Sequence, residues 1–234
     1  MDSKNDSIVS RLRYLRGSKI QLPSDHKLRK LFGTSGCNDS AVTAQSSALY
    51  DVLNEIVIDA RIYFMSKGER ELAKKHLDFL STMRSSANDL IIFDRGYPAF
   101  KLFEYCISYK FILLMRLSRI FNTYIDKISL GCHNFILTQG IKSIKVRIIK
   151  FKLPKGEIKT LVTNLFDYSL GQKAFKQLYF RRWPIETLYG KVKHQLEIEN
   201  FSSRTEESIY QDYYITIFVH NLISIASKKS QCIC

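Results

Sequence analysis

The sequence is poor in proline, in acidic residues and in long apolar runs. Four prolines and ten glycines in 234 residues exclude collagen-like, low-complexity and broadly disordered chains. Acidic residues number 22 against 36 lysines and arginines, a formal charge of +14, and that deficit of negative charge points to a polyanionic partner. No stretch reaches the roughly 20 apolar residues of a membrane span. The most apolar one, Tyr213 to Ala226, is interrupted by His220 and Asn221 and reads as a buried helix. The five cysteines are an odd number without a CxxC or a matching histidine pair, which argues against a disulfide framework or a zinc site and fits a reducing cytoplasm. The polar start, Met1-Asp2-Ser3-Lys4-Asn5-Asp6, is not a secretory signal. No period of 20 to 50 residues repeats, so a solenoid is not expected.

What is present is 45% apolar and 12% aromatic residues, enough for one well-buried core. Gly17 to Pro23 reads as a short extended segment, and Phe32 to Ser40 as a loop rich in Gly, Ser and Asn. Ala48–Leu53 and Ile56–Ile62 flank Asn54-Glu55, which predicts two antiparallel strands with a tight connection. Ser66-Lys67-Gly68-Glu69 has capping-box spacing, and Leu72, Ala73, His76, Leu77, Leu80 and Met83 then recur at helical intervals. His76, on that apolar stripe, reads as a hydrogen-bonded core histidine without a function. Leu90-Ile91-Ile92-Phe93 is a buried strand that ends abruptly at Asp94-Arg95-Gly96-Tyr97-Pro98 and so delivers a carboxylate at its tip. Phe100–Cys106 reads as a helix and Phe111–Met115 as another buried strand.

Between Ser118 and Leu165 apolar and basic residues alternate, with Pro154-Lys155-Gly156 as a turn. This predicts a β-rich insertion. Seven cations, including Lys145 and Arg147, fall within the 18 residues from Lys142 to Lys159. Such a pattern either binds phosphates on one face or keeps strand edges soluble, and the phosphate face is the preferred reading. Ala174–Arg181, Pro184–Glu197 and a long segment from Ser203 to Ser227 read as helices. The class is therefore mixed α/β with a β insertion. The expected division is a polar tail (1–15), a first catalytic part (16–117), the basic insertion (118–165), a second catalytic part (166–228) and a terminal tail (229–234).

The densest chemistry lies in Tyr179 to Lys193. On a helix at about 100° per residue, Glu186 and Lys193 point within about 20° of each other, which by itself is the pattern of a solvated face. Tyr179 and Arg182 precede Pro184 and reach the same rim if the chain kinks there. The arrangement Y-x2-R-x3-E-x6-K, filled by Tyr179, Arg182, Glu186 and Lys193, resembles the signature of DDE transposases of the insertion-sequence-four type. Ile91 to Tyr97 resembles that family's second aspartate block, Leu161 to Leu165 its strand leading into the signature, and Gly17 to Pro23 its first block. The similarity runs from about Arg16 to Ala226.

This resemblance implies an RNase H-like mixed sheet flanked by helices, with the β insertion between the second and third carboxylates. It implies Asp94 and Glu186 as catalytic, metal-holding residues for two Mg2+ ions. The reaction implied is in-line attack by water or a 3′-hydroxyl on a DNA phosphodiester. Tyr179, Arg182 and Lys193 are implied to contact phosphates near the cut, with Arg95 and the insertion's Lys145 and Arg147 also binding DNA. The partners implied are double-stranded DNA, at transposon ends and target, and a second copy in a synaptic homodimer. No membrane is involved, and the location expected is the bacterial cytoplasm, nucleoid-associated when DNA is bound. Trp183 reads as packed rather than stacked on a base.

The first block departs from the family. It should begin Asp-Gly-Ser and here reads Arg16-Gly17-Ser18. A guanidinium stays charged and repels the metal that an aspartate holds, so loss of catalysis is expected. Asp25, Asp51 and Asp59 are the carboxylates weighed as substitutes. Only 15 residues precede Arg16, fewer than the family's end-recognition region, so a truncated or frameshifted copy is expected. A non-catalytic DNA-binding protein derived from a transposase is the alternative.

Overall fold

The computed structural model describes residues 11–36, 40–83, 89–182 and 198–231. In chain order its elements are β1 (Arg11–Gln21), α1 (His26–Phe32), β2 (Thr34–Ser35), β3 (Ala41–Asp51), β4 (Ile56–Tyr63), α2 (Glu69–Thr82), β5 (Asp89–Phe93), α3 (Phe100–Ser108), β6 (Ile112–Leu117), α4 (Thr123–Lys127), β7 (Gly131–Gln139), β8 (Lys142–Lys152), β9 (Ile158–Thr163), α5 (Gln172–Phe180) and α6 (Glu206–Gln231). The expected mixed α/β class is what forms. The chain divides into two compact units, one of residues 1–14 with 77–181 and one of residues 15–76 with 182–234. Both β1 and α2 contribute to each.

In the first unit β5 and β6 pair in parallel, Leu90 opposite Ile112 and Phe93 opposite Met115. A parallel pair needs a crossover, and α3 supplies it by burying Leu102, Phe103 and Cys106. Strand β9 then pairs antiparallel with β6, β8 with β9, and β7 with β8. The order is β5-β6-β9-β8-β7. Gly156, at φ +88°, closes the turn between β8 and β9, its N–H donating to the Leu153 carbonyl at 2.8 Å. This is the turn the sequence predicts at Pro154-Lys155-Gly156. The expected β-rich segment forms strands, and through β9 it extends the sheet of β5 and β6.

The expected polar tail is corrected as well, because β1 begins at Arg11. Leu12, Tyr14 and Leu15 are buried, and Arg11 and Arg13 reach the fully buried Asp89 carboxylate at 3.6 and 3.5 Å. A carboxylate 76 residues away from Arg13 is what lets two arginines occupy a strand start.

In the second unit the order is β2-β3-β1, with β4 also on β3. The predicted antiparallel pair forms, with Asp51 opposite Ile56. Its turn is held by Asp51, whose carboxylate accepts from the Leu53 and Asn54 N–H groups and from Asn54 Nδ2 at 3.0, 2.9 and 2.7 Å. Helix α1 lies where no helix is expected. Asp25 caps it, accepting from Lys27 and Leu28 N–H, and seven residues carrying two buried apolar side chains are too few for a periodic signal.

The predicted amphipathic helix α2 forms but starts at Glu69, two residues later than a cap at Ser66 would place it, and His76 is the core histidine expected. Its Nδ1 bonds to Asp59 Oδ2 at 2.8 Å and its Nε2 to Ser47 Oγ at 3.0 Å. The order Ser47–His76–Asp59 has the connectivity of a hydrolytic triad, but Ser47 and His76 are fully buried and no substrate reaches them. Burial pushes the Asp59 carboxyl up, yet the bonds and charges of His76 and Arg61 outweigh it and hold the pKa below its ordinary 3.8. A lowered folded-state pKa contributes stability that is present above that ordinary value and lost as pH falls through the lower folded one. The stability difference between the natural chain and Asp59→Asn, from urea unfolding, is thus expected to be constant near neutrality and to shrink below about pH 4.

The expectation of a buried final helix is corrected. Helix α6 buries Ile209, Tyr213, Ile217, His220 and Ser224, while Tyr214, Ile215, Phe218, Leu222, Ile223 and Ile225 are exposed. One stripe at intervals of three and four residues faces the unit's core. Tyr213 anchors it, sharing a 2.9 Å hydrogen bond with Ser46 Oγ and donating to the Arg61 carbonyl at 3.3 Å. Tyr213→Ala is expected to lower unfolding free energy by about 3–5 kcal/mol. Phe218→Ala, with Phe218 62% exposed, should change it by no more than about 0.5 kcal/mol. Urea midpoints of the two variants check the contrast. Among the described residues no helix is long and apolar enough to cross a membrane.

Candidate functional site

Asp94 stands directly beyond the last residue of β5, as the sequence predicts. The strand is buried along its whole length, and the chain turns out at Asp94, which is half-buried, into exposed Arg95 and Gly96. Buried Tyr97, tilted against Phe93 with ring centroids 5.6 Å apart, fixes the exit. Asp94 Oδ1 accepts the Arg95 N–H at 2.7 Å. Because β6 runs parallel to β5, the residues following both strands emerge at the same end, the position at which open α/β sheets place their ligands.

Helix α5 brings Tyr179 to this carboxylate. Phe175 and Tyr179, one turn apart, are the buried residues of the helix, and the Tyr179 hydroxyl donates toward Asp94 Oδ1 at 3.5 Å. The sequence reading pairs Tyr179 with a DNA phosphate. In the structure it is 3% exposed and its hydroxyl faces the aspartate. Arg182 is half-buried just past α5. Trp183, Glu186 and Lys193 lie outside the described residues.

Of the insertion's cations, Lys145 is exposed, with its amine 5.3 Å from the Phe166 ring centroid. Arg147 is a correction. It is 4% exposed, lies over the Tyr168 and Phe175 rings at 5.3 and 5.2 Å, and donates to the Asp167 and Leu170 carbonyls at 2.5 and 2.9 Å. A guanidinium whose planar fork is used by backbone carbonyls and whose faces are covered is a brace for the 167–170 segment. Lys150 is likewise buried, with its amine on the Asp126 carbonyl.

In the second unit Arg16 is a half-buried residue of β1. A Cβ placed on the next residue, Gly17, would stand 2.9 Å from Glu69 Oε1 and 3.1 Å from Gln45 Nε2. A carboxylate from the first residue of α2 therefore lies against the first block. Sequence reasoning missed Glu69 because it reads only as the end of a capping box. The acids it weighed as substitutes are engaged elsewhere: Asp25 caps α1, Asp51 holds the β3–β4 turn, and Asp59 binds His76 and Arg61.

Among the described residues no group of three or more His, Cys, Asp or Glu is placed to hold a metal ion. A guanidinium at the first block adds a positive charge and no donor oxygen. The residues described do not by themselves complete a divalent-metal site.

Comparison with known proteins gives a family match and matches among solved structures. Residues 18–222 match the family model described as the transposase DDE domain. Among solved structures, the chain is similar to a piggyBac transposase synaptic complex with hairpin DNA, determined by cryo-EM, with a TM-score of 0.52 and 12% identity over 93% of this chain and 49% of that one. At that identity the likeness is one of fold, and the chain spans about half the length of that transposase chain. No curated protein sequence matches it.

Proposed function

Since the chain belongs to the transposase DDE domain family, we propose that it is a DNA-binding protein of transposition, built for strand cleavage and transfer, whose cutting chemistry is disabled at Arg16. Asp94 carries the reading: a half-exposed carboxylate at the tip of a buried strand, faced by the Tyr179 hydroxyl at 3.5 Å. The finer assignment, to the insertion-sequence-four type, rests on Tyr179, Arg182, Glu186 and Lys193 standing in the order that family uses. In it Asp94 and Glu186 are two of the metal-holding carboxylates and Arg16 replaces the third. Members of the family use divalent metal ions, and the donor set here is one acid short, so no cleavage step is assigned to the natural chain.

DNA is the proposed partner, as transposon end and target, with a second copy in the synaptic complex. The charge of +14 and the exposed Arg95 and Lys145 support phosphate contacts, while Tyr179 acts by orienting Asp94. The cytoplasm is the proposed location. Nicking of a supercoiled plasmid with Mg2+ or Mn2+ tests the reading. The natural chain is expected to shift the plasmid in a gel without nicking it, Arg16→Asp to nick it, and Arg16→Asp with Asp94→Asn to be silent again. Absence of any DNA shift at low salt would remove the reading altogether.

A further inference from the structure

A cleft of about 510 Å³ opens in the first unit at the end of the sheet where Asp94 emerges. Its position follows from strand register. Phe93 opposite Met115 is the last pair of the two parallel strands, so residues 94–95 beyond β5 and Arg116 and Leu117 at the end of β6 lie at the same edge, and Leu117 and Lys150 both stand opposite Thr160 of β9. Arg95, Arg116, Arg119 and Lys150 line it, against the acids Asp126 and Glu157.

We propose that this cleft is a backbone-phosphate subsite, which holds the DNA strand on the β6–β9 side of Asp94 through Arg95, Arg116 and Arg119. The inference rests on DNA being the partner and names where its backbone lies. Arginine forks match the paired oxygens of a phosphodiester. The cations here outnumber the acids two to one, and among the described residues most of them have little else to bind. Lys150 is spent on the Asp126 carbonyl and serves as a fixed positive charge in the wall. Among the described residues Arg116 has a single loose contact, 3.5 Å from Glu157 Oε1, with 22% and 52% of the two side chains exposed. Lys159 also binds Glu157.

Glu157 therefore acts as the cleft's own exchangeable anion. Its carboxyl is held below its ordinary pKa by the Lys159 bond and by the charges of Lys159, Arg116 and Arg119, so it is ionised when the cleft is empty of DNA. An incoming phosphate competes with that carboxylate for Arg116, while Lys159 keeps hold of it. Removing the carboxylate charge should strengthen DNA binding, and removing an arginine should weaken it. Arg95 ties the subsite to Asp94, because it is the next residue and its N–H already binds the carboxylate.

Anisotropy of a labelled 20-base-pair duplex across a salt series, without divalent metal, tests this on the natural chain, Arg116→Ala, Arg119→Ala, Glu157→Gln and, as a control, the exposed Lys155→Ala. Each arginine variant is expected to weaken binding and to make the slope of log affinity against log salt shallower by about 1. Glu157→Gln should bind several-fold tighter. Lys155→Ala should change the slope by clearly less than either arginine variant. Equal effects of Lys155→Ala and Arg119→Ala, or no tightening with Glu157→Gln, would overturn the subsite. Inorganic phosphate at matched ionic strength is the second probe. Displacement of duplex from the natural chain but less from Arg116→Ala supports a shared phosphate site, and phosphate binding abolished by Arg116→Ala with duplex affinity unchanged reassigns the cleft to a free anion. Since no metal is present, failure of Arg16→Asp to nick leaves these outcomes intact. A natural chain that binds no duplex removes the proposed function instead.

Discussion

Asp89→Ala is expected to lower the unfolding free energy by about 3–5 kcal/mol, a large part of the 5–15 kcal/mol typical of a domain. Asp89 is fully buried at the start of β5, and the side chains of Arg13 and Arg11 approach it at 3.5 and 3.6 Å with 8% and 40% exposure. Residues two apart on a strand share a face, so both arginines are aimed at the same acid. Deleting the acid leaves the Arg13 guanidinium in the interior with its main counter-charge gone, which is the expensive way to break a buried pair. Arg11→Ala should cost no more than about 1 kcal/mol, because Arg11 is partly solvated and Arg13 still neutralises Asp89. Replacing Arg13 and Asp89 together by leucine should recover most of the loss, since the desolvation of both ions disappears with them. Urea unfolding of the three variants beside the natural chain decides it. Similar losses for Asp89→Ala and Arg11→Ala would show that the ion pair is not what anchors β1.

That pair also marks where local sequence stops being informative. Leu90–Phe93 could only be a strand, because four apolar residues between polar segments are too short for a buried helix, and Gly96-Tyr97-Pro98 ends it. The position of Asp94 follows from those residues alone. His76 was legible as a core residue from its place on an apolar helical stripe, but its partners Ser47 and Asp59 come from two other strands and leave no trace at residue 76. Arg147 shows the limit most plainly. Alternation with Val146 and Ile148 correctly gives a strand, and the charge suggests solvent, yet the guanidinium is closed in by Tyr168 and Phe175 and bonded to backbone carbonyls. Any residue can offer a carbonyl, so no pattern announces that partner. The outer face of α6 fails for the opposite reason: apolar residues all round the helix predict burial on every side, and one unit of this size covers only the stripe through Tyr213.

Arg16→Asp is expected to create metal-dependent nicking where the natural chain has none, a gain on the order of a hundredfold or more over background. The substitution replaces a permanent cation by an anion, a change of two charges at one strand position, and supplies the oxygen donors a divalent ion needs. The binding half can be read separately from the chemical half. Mn2+ should raise the melting temperature of Arg16→Asp in proportion to its affinity and leave that of the natural chain unchanged. Glu186→Gln in the Arg16→Asp background should remove the nicking, which ties the gain to this chain rather than to a contaminant. Glu69 is the control the structure adds. Its carboxylate lies against Gly17, so the natural chain has an acid close to its first block even though aspartate is gone. If Glu69 filled that role, the natural chain would nick and Glu69→Gln would abolish the activity, and the disabled-site reading would be wrong. The expected result is the reverse: no nicking with or without Glu69→Gln, because the Arg16 charge opposes metal entry whichever carboxylate is near.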